Sequence, residues 1–109
     1  MSTDNENTLF WKYFKEWAER EKKGVVRDVT YTKYIMTARM IKHLAPSTKI
    51  KDLTRAEYRK ILNKYAKNHE KNTIRDFHRH MKACIQDIVY EGCLEKDPTY
   101  KVKIPQGKT

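Results

Sequence analysis

Apolar side chains recur every three to four residues in four segments of this 109-residue chain. In the first segment Phe10, Phe14 and Trp17 fall on one side of a helix. Each segment has a single apolar stripe, so each helix must bury that stripe against the others. Only three glycines and three prolines interrupt the chain, which favours helices over many short strands. The pattern predicts an all-α fold, a four-helix bundle.

Helix ends are marked by residues with special backbone preferences. Gly24 and Gly92 each follow a periodic segment, and glycine is favoured just past a helix end. Pro46 blocks continuation of the second helix, because the residue before proline avoids helical geometry. Thr54 and Glu57 have the spacing of a capping box, which predicts the start of the third helix.

Polar side chains indicate the remaining helix ends. Thr30 or Thr32 offers a hydroxyl that can cap the second helix, and Asn72 or Thr73 can cap the fourth. Asn68 is expected to end the third helix in a left-handed conformation.

The chain divides by composition into three parts. Residues 1–7 are polar and expected to be disordered, and residues 8–95 hold the four periodic segments. Residues 96–109 contain prolines, a glycine and four lysines without a clear period, which predicts a linker towards a further domain.

Positive charge is concentrated in the later part of the chain. The formal net charge is +10, and residues 1–23 contribute nothing to it, because five basic and five acidic residues cancel there. A surplus of this size implies a polyanionic partner, most commonly nucleic acid. The alternative is a basic domain without such a partner.

The fourth helix carries a polar row at spacings that place its members on one narrow stripe. The row consists of Arg75, Arg79, Lys82 and Gln86. Arginine can grip a phosphate or a guanine edge with two donors, and a glutamine amide can contact a base in the major groove. We expect the nearby Asp76 and Asp87 to point away from the row. The alternative is an ordinary solvated flank.

The second helix offers a matching set of polar groups off its deepest apolar line. These are Thr30, Thr32, Lys33, Arg39 and His43. Hydroxyls near a helix N-terminus, with a lysine beside them, can contact phosphate or bases. Thr30 could equally act only as a cap. On the first helix, Trp11 lies beside the core line, where it either covers the bundle edge or docks a neighbouring protein.

Other functions lack their residue patterns. His78 and His80 are two residues apart and cannot chelate one metal, and Cys84 and Cys93 lack zinc spacing and fit a reducing cytosol. No glycine-rich phosphate loop or nucleophile elbow is present, and no apolar run has membrane-spanning length. We therefore expect no catalysis, metal, cofactor, small-molecule ligand or membrane contact.

Four segments, in order, resemble the core-binding domain of tyrosine recombinases, which is the N-terminal SAM-like domain of phage integrases. They are TLFWKYFKEWAEREKKG, VTYTKYIMTARMIKHLAP, KIKDLTRAEYRKILNKY and KNTIRDFHRHMKACIQDIVYEGCLEKDPTYKVKIP. The resemblance covers about residues 8–105. Asp97-Pro98 replaces the more common Asn-Pro, and Ile88–Glu91 lacks the frequent alanine.

This resemblance implies an orthogonal four-helix bundle that forms a C-shaped clamp on DNA together with a separate catalytic domain. Its second and fourth helices would face the major groove. By position, the implied contacts are Thr30, Lys33, Thr73, Arg75, Arg79 and Lys82. The family's catalytic residues belong to the domain beyond the linker, so this chain is expected not to cut DNA.

The leading hypothesis is therefore a DNA-binding module that serves integration and excision of a mobile element. Its expected partners are the double-stranded core attachment site and other recombinase subunits, in the cytoplasm of a bacterial host. The rival hypothesis is a helical protein–protein adaptor whose basic surface meets an acidic partner and whose Trp11 marks the docking face. A standalone helix-turn-helix regulator is disfavoured, because the connection over residues 46–54 is too long for that motif.

Overall fold

The computed structural model describes residues 6–108 of the chain, and four α-helices form the framework of that part. The helices are α1 (Phe10–Glu21), α2 (Asp28–Leu44), α3 (Arg55–Ala66) and α4 (Lys71–Tyr90). A short 3-10 helix, Ile50–Asp52, precedes α3. The described part has no strand beyond an isolated antiparallel bridge between Leu9 and Lys49, so the all-α four-helix prediction is confirmed. The disordered tail expected over residues 1–7 lies mainly outside the described residues.

One hydrophobic core joins the four apolar stripes. Its members recur at helical spacing, as on α3, which buries Tyr58, Ile61, Leu62 and Tyr65. Several large side chains are almost fully enclosed, among them Phe10, Phe14, Ile41, Ile50, Ile74, Met81, Ile85 and Ile88. The burial of so many aliphatic and aromatic groups supplies the main driving force for folding.

An aromatic chain through the core fixes how α1, α2 and α4 meet. Tyr34 of α2 lies 6.4 Å from Phe14 and 5.9 Å from Trp17, measured between ring centroids. On its other side Tyr34 stacks on the His80 ring of α4 at 4.1 Å. Aromatic pairs at these separations have preferred orientations, so they hold α2 beside α4 in one arrangement.

The starts of α2 and α4 differ from the predicted capping. The cap residues are Arg27 and Glu70, and neither makes a side-chain capping bond. The first helical bonds run from the Tyr31 amide to the Arg27 carbonyl and from the Ile74 amide to the Glu70 carbonyl. Each helix therefore begins earlier than predicted, and the residues that were predicted to cap it lie within its first turns. The caps predicted at Thr30, Thr32, Asn72 and Thr73 are wrong.

Half of the predicted capping box at α3 is present. The Thr54 hydroxyl accepts a bond from the Glu57 amide at 3.1 Å. The Glu57 carboxylate does not return to the Thr54 amide but accepts the Thr48 hydroxyl at 2.6 Å. The left-handed ending predicted at Asn68 is wrong. Within residues 6–108 the only non-glycine residue with a positive φ is Lys101.

Residues 96–108 lie along the bundle after α4. Thr99 is buried, and Asp97 accepts bonds from both its amide and its hydroxyl, at 2.8 and 2.6 Å. Val102 and Ile104 pack half-buried against the core. Near the end, the Lys108 amide donates to the His69 carbonyl at 2.8 Å. This segment is attached to the domain surface, and its role as a linker to another domain stays a prediction.

Candidate nucleic-acid interface

Arg75, Arg79, Lys82 and Gln86 form what we call the α4 stripe. At 100° per residue they span about 60° of the helix circumference, roughly opposite the buried face that includes Met81. Three of the four side chains are exposed, and Lys82 is half-buried. The stripe thus points outward from the bundle, as contact with a partner requires.

Asp76 interacts with the stripe, contrary to expectation. Its carboxylate lies 3.1 Å from the Arg79 guanidinium, one turn along the helix, and both side chains are at least half exposed. Exposed ion pairs contribute about 0–1 kcal/mol, so this pair is easily exchanged for a stronger anionic partner. Asp87 does lie away from the stripe, because it accepts the Trp17 indole N–H at 2.7 Å.

Arg75 has a neutral partner. Its guanidinium donates to the Asn72 side-chain oxygen at 3.0 Å. An amide oxygen orients the guanidinium without cancelling its charge, so this end of the α4 stripe keeps its positive potential.

A cleft of about 330 Å³ separates α2 from the start of α4. Its α2 wall includes Lys33, Met36 and Met40, and its α4 wall includes Thr73 and Asp76. The structure thus brings together Lys33 and Thr73, two of the predicted contact residues from separate helices. We call this feature the α2–α4 cleft. Thr30 lies half-buried, one turn before Lys33 on α2.

Arg39 stands apart from the other predicted contact residues. It lines a separate groove of about 220 Å³ between α1 and α2, together with Trp11, Lys15 and Lys42. The Lys42 ammonium lies 4.7 Å above the Trp11 ring, a cation–π arrangement. Trp11 is half-buried and covers the bundle edge. The structure therefore does not group Arg39 with Lys33 and Thr73.

The floor of the α2–α4 cleft contains a buried polar pair. The Thr37 hydroxyl donates to the Lys33 carbonyl at 3.0 Å, and its oxygen lies 3.0 Å from His80 Nδ1. Because the hydroxyl has one hydrogen, His80 donates from Nδ1 in this arrangement. Burial of Thr37 was not predicted, since its side chain is polar.

His80 also reports the charge around the cleft. Its pKa is lowered to about 4, mainly by burial and in addition by the positive charge of Arg79, while Asp76 partly opposes the shift. Lys33 and Lys22 act in the same direction as Arg79. A neutral histidine surrounded by three cations and one carboxylate indicates a positive local potential.

His78 occupies the opposite flank of α4, as the two-residue spacing predicted. Its Nδ1 lies 2.6 Å from the Tyr58 hydroxyl of α3, and burial lowers its pKa. Within residues 6–108 no cluster of three or more histidine, cysteine or acidic side chains is placed to hold a metal ion. Cys84 and Cys93 are free thiols.

Exposed apolar residues beside the cleft were missed by the sequence analysis. Met36 is 60% exposed and Val29 is 58% exposed, although both lie on α2. The signal was available, because Val29, Lys33, Met36 and Met40 have the same relative spacing as the α4 stripe. Apolar residues at helical spacing were assigned to the core alone.

Comparison with solved structures identifies the class of protein to which this bundle belongs. The chain is similar to the N-terminal domain of the prophage pi2 integrase from Lactococcus lactis, with 35% identity and a TM-score of 0.83. That match covers 86% of this chain and 90% of the other. It is also similar to a phage integrase fragment from Staphylococcus saprophyticus, with 33% identity, a TM-score of 0.77, and coverage of 89% and 88%.

The chain therefore belongs to the family of phage integrase N-terminal domains. The resemblance of the four sequence segments is confirmed by these matches. No protein-family profile matches the sequence, and no curated protein matches it. Among the helices of residues 6–108, none combines the length and apolar character needed to cross a bilayer.

Proposed function

We propose that this chain is the DNA-binding domain of a site-specific tyrosine recombinase, and that it grips the core recombination site during integration and excision of a mobile element. The supporting observation is that a phage integrase N-terminal fold presents the α4 stripe outward beside the α2–α4 cleft. On this proposal, strand cleavage belongs to another domain of the recombinase, and other recombinase subunits are its protein partners.

Phosphate contacts are expected to dominate the affinity of this single domain. The stripe contributes two arginines and a lysine, and Lys33 lies on the facing helix. Each phosphate neutralised by such a cation releases counterions from the duplex, which contributes about −0.9 to the slope of log K against log salt. Gln86 and Thr73 are assigned to polar contacts with bases or sugars. Such contacts orient the protein on the duplex and distinguish base sequences, but they contribute less to the affinity than phosphate contacts do.

The test is a fluorescence anisotropy titration of a short mixed-sequence duplex at salt concentrations from about 50 to 200 mM. The wild-type chain is compared with the double variant Arg79→Glu, Lys82→Glu. A matched control, Arg59→Glu with Lys60→Glu, makes the same charge change at two exposed positions of α3. We expect the stripe variant to lose at least about tenfold in affinity at low salt and to have a slope shallower by up to about 2.

The control should lose much less, because Arg59 and Lys60 neither belong to the α4 stripe nor line the α2–α4 cleft. Equal losses in the two variants would mean that binding depends only on net charge and not on the α4 stripe. Salt-insensitive binding, or no binding by the wild-type chain at low salt, would contradict the proposed function itself. Circular dichroism of both variants checks that the bundle is intact.

A further inference from the structure

An apolar row lies on the exposed side of α2. It consists of Val29, Met36 and Met40, with Lys33 among them, at relative positions 0, 7, 11 and 4. These positions fall within about 60° of the helix circumference. Val29 and Met36 are 58% and 60% exposed, and Met40 packs partly against the core. Scattered exposed apolar residues need no explanation, but a row on one helix face indicates a contact surface.

Positive charge is in excess at the floor of the cleft beside this row, where Arg79, Lys33 and Lys22 lie within electrostatic reach of His80 against the single carboxylate of Asp76. Met36 and Met40 line the α2–α4 cleft together with Lys33. One carboxylate, that of Asp76, lines the same cleft, and it is engaged with Arg79 at 3.1 Å. A partner that combines negative charge with exposed apolar groups matches this surface.

We infer that the apolar row of α2 contacts thymine C5-methyl groups in the major groove of the DNA, which gives this domain a preference for thymine at the positions it covers. The inference rests on the proposed function and names the DNA group that the apolar row of α2 contacts. Duplex DNA has the required chemistry, because its phosphates supply the negative charge and the thymine methyl is the apolar group on its major-groove edge.

The side chains suit this contact. Methionine is unbranched and flexible, so Met36 can adapt to a methyl group without demanding one fixed geometry. Lys33 lies one turn before Met36 and is placed to reach a phosphate while the methionine meets the base. Burial of one methyl-sized group is expected to strengthen binding about three- to fourfold.

The experiment begins with selection of binding sequences from a random duplex pool by the intact chain. The selected duplex is then synthesised with thymine and, separately, with uracil, which lacks only the C5-methyl group. We expect the wild-type chain to bind the uracil duplex about three- to fourfold more weakly for each methyl contacted. Met36→Ala should reduce this ratio by one such factor, because the alanine is too short to reach the methyl.

Tyr100→Ala serves as the control, since Tyr100 is 58% exposed, about as much as Met36, and lies after α4 beside Arg55 of α3. It should keep the full thymine-to-uracil ratio. Equal wild-type affinity for the two duplexes would overturn this inference and leave the proposed function standing. So would a ratio that persists unchanged in Met36→Ala and Val29→Ala, because the methyl effect would then arise elsewhere on the protein. Failure to bind any duplex would overturn both the thymine contact and the proposed function. Self-association that is abolished by Met36→Ala would overturn the thymine contact and assign the apolar row to a protein partner.

Discussion

His80 Nδ1 of α4 lies 3.0 Å from Thr37 Oγ1 of α2, inside the bundle and below the α2–α4 cleft. The two residues are 43 positions apart in the chain, so this bond is a tertiary contact that joins α2 to α4. The stack of His80 on Tyr34 at 4.1 Å reinforces the same arrangement. Buried polar and aromatic contacts of His80 therefore support the proposed DNA-contacting surface from inside the bundle.

Replacement of Thr37 by valine tests the importance of this bond. Valine has nearly the same shape but leaves the buried His80 N–H without its acceptor, which is expected to lower the free energy of unfolding by about 1–3 kcal/mol. Urea denaturation measures the change. Thr32→Val is the control, because Thr32 is exposed on the same helix and should alter stability by less than about 0.5 kcal/mol. Equal effects of the two substitutions would show that the bond does not stabilise the fold.

Acid should destabilise the protein through His80. Its pKa is about 4 in the folded state, against about 6.5 for an unfolded chain, so the unfolded state binds the proton more readily. Stability is therefore full above pH 6.5 and declines as the pH falls towards 4. Between about pH 6.5 and pH 5 this group should remove roughly 1–2 kcal/mol, discounted for residual solvent around the ring.

The measurement is urea denaturation at several pH values, with His80→Gln as the test variant. Glutamine keeps a hydrogen-bonding side chain but cannot be protonated in this range, so the variant should lose less stability on acidification. His43→Gln removes an exposed histidine and should behave like the wild-type chain. A pH dependence that is the same in all three proteins would rule out His80 as the cause.

Sequence reasoning predicted the bundle because burial follows the helical period. Residues such as Ile74, Met81 and Ile85 recur at helical spacing, and that alone places them in the core. The start of α4 was misplaced, because a polar residue with capping preference does not have to be used as a cap, and α4 begins after Glu70 without a side-chain capping bond. Where the helix begins depends on the path of the preceding loop, which tertiary packing decides.

The candidate site was predicted only in part, for a similar reason. The α4 stripe lies on one helix, so residue spacing is sufficient to define it. The i,i+3 relation of Asp76 and Arg79 was also present in the sequence and favours their pairing. The α2–α4 cleft, in contrast, requires the relative placement of two helices. The burial of Thr37 and the separation of Arg39 from Lys33 also depend on how the helices are placed relative to one another. No local sequence pattern encodes this placement.

Gly107→Ala tests whether residues 96–108 are held on the bundle. Gly107 has a φ of 79°, and an added Cβ would lie 2.6 Å from Ile74 Cδ1 and 2.8 Å from the His69 carbonyl oxygen. Steric conflict adds to the backbone penalty, so we expect a loss of about 2 kcal/mol in urea denaturation. Gly24→Ala is the control, because Gly24 also has positive φ but open space around it, and should lose about 1 kcal/mol. Equal losses would mean that the segment does not pack tightly against α4.

Asp76→Asn should strengthen DNA binding if the α4 stripe contacts phosphate. The substitution removes the carboxylate that lies 3.1 Å from the Arg79 guanidinium. Arg79 then does not have to break an ion pair with Asp76 before it contacts the duplex. We expect about two- to fivefold tighter binding at low salt and a steeper salt dependence, with stability changed by less than about 1 kcal/mol. Glu19→Gln makes the same charge change at an exposed position of α1 and controls for net charge alone. If both variants tighten binding equally in anisotropy titrations, the gain comes from net charge alone and Asp76 does not compete with DNA for Arg79.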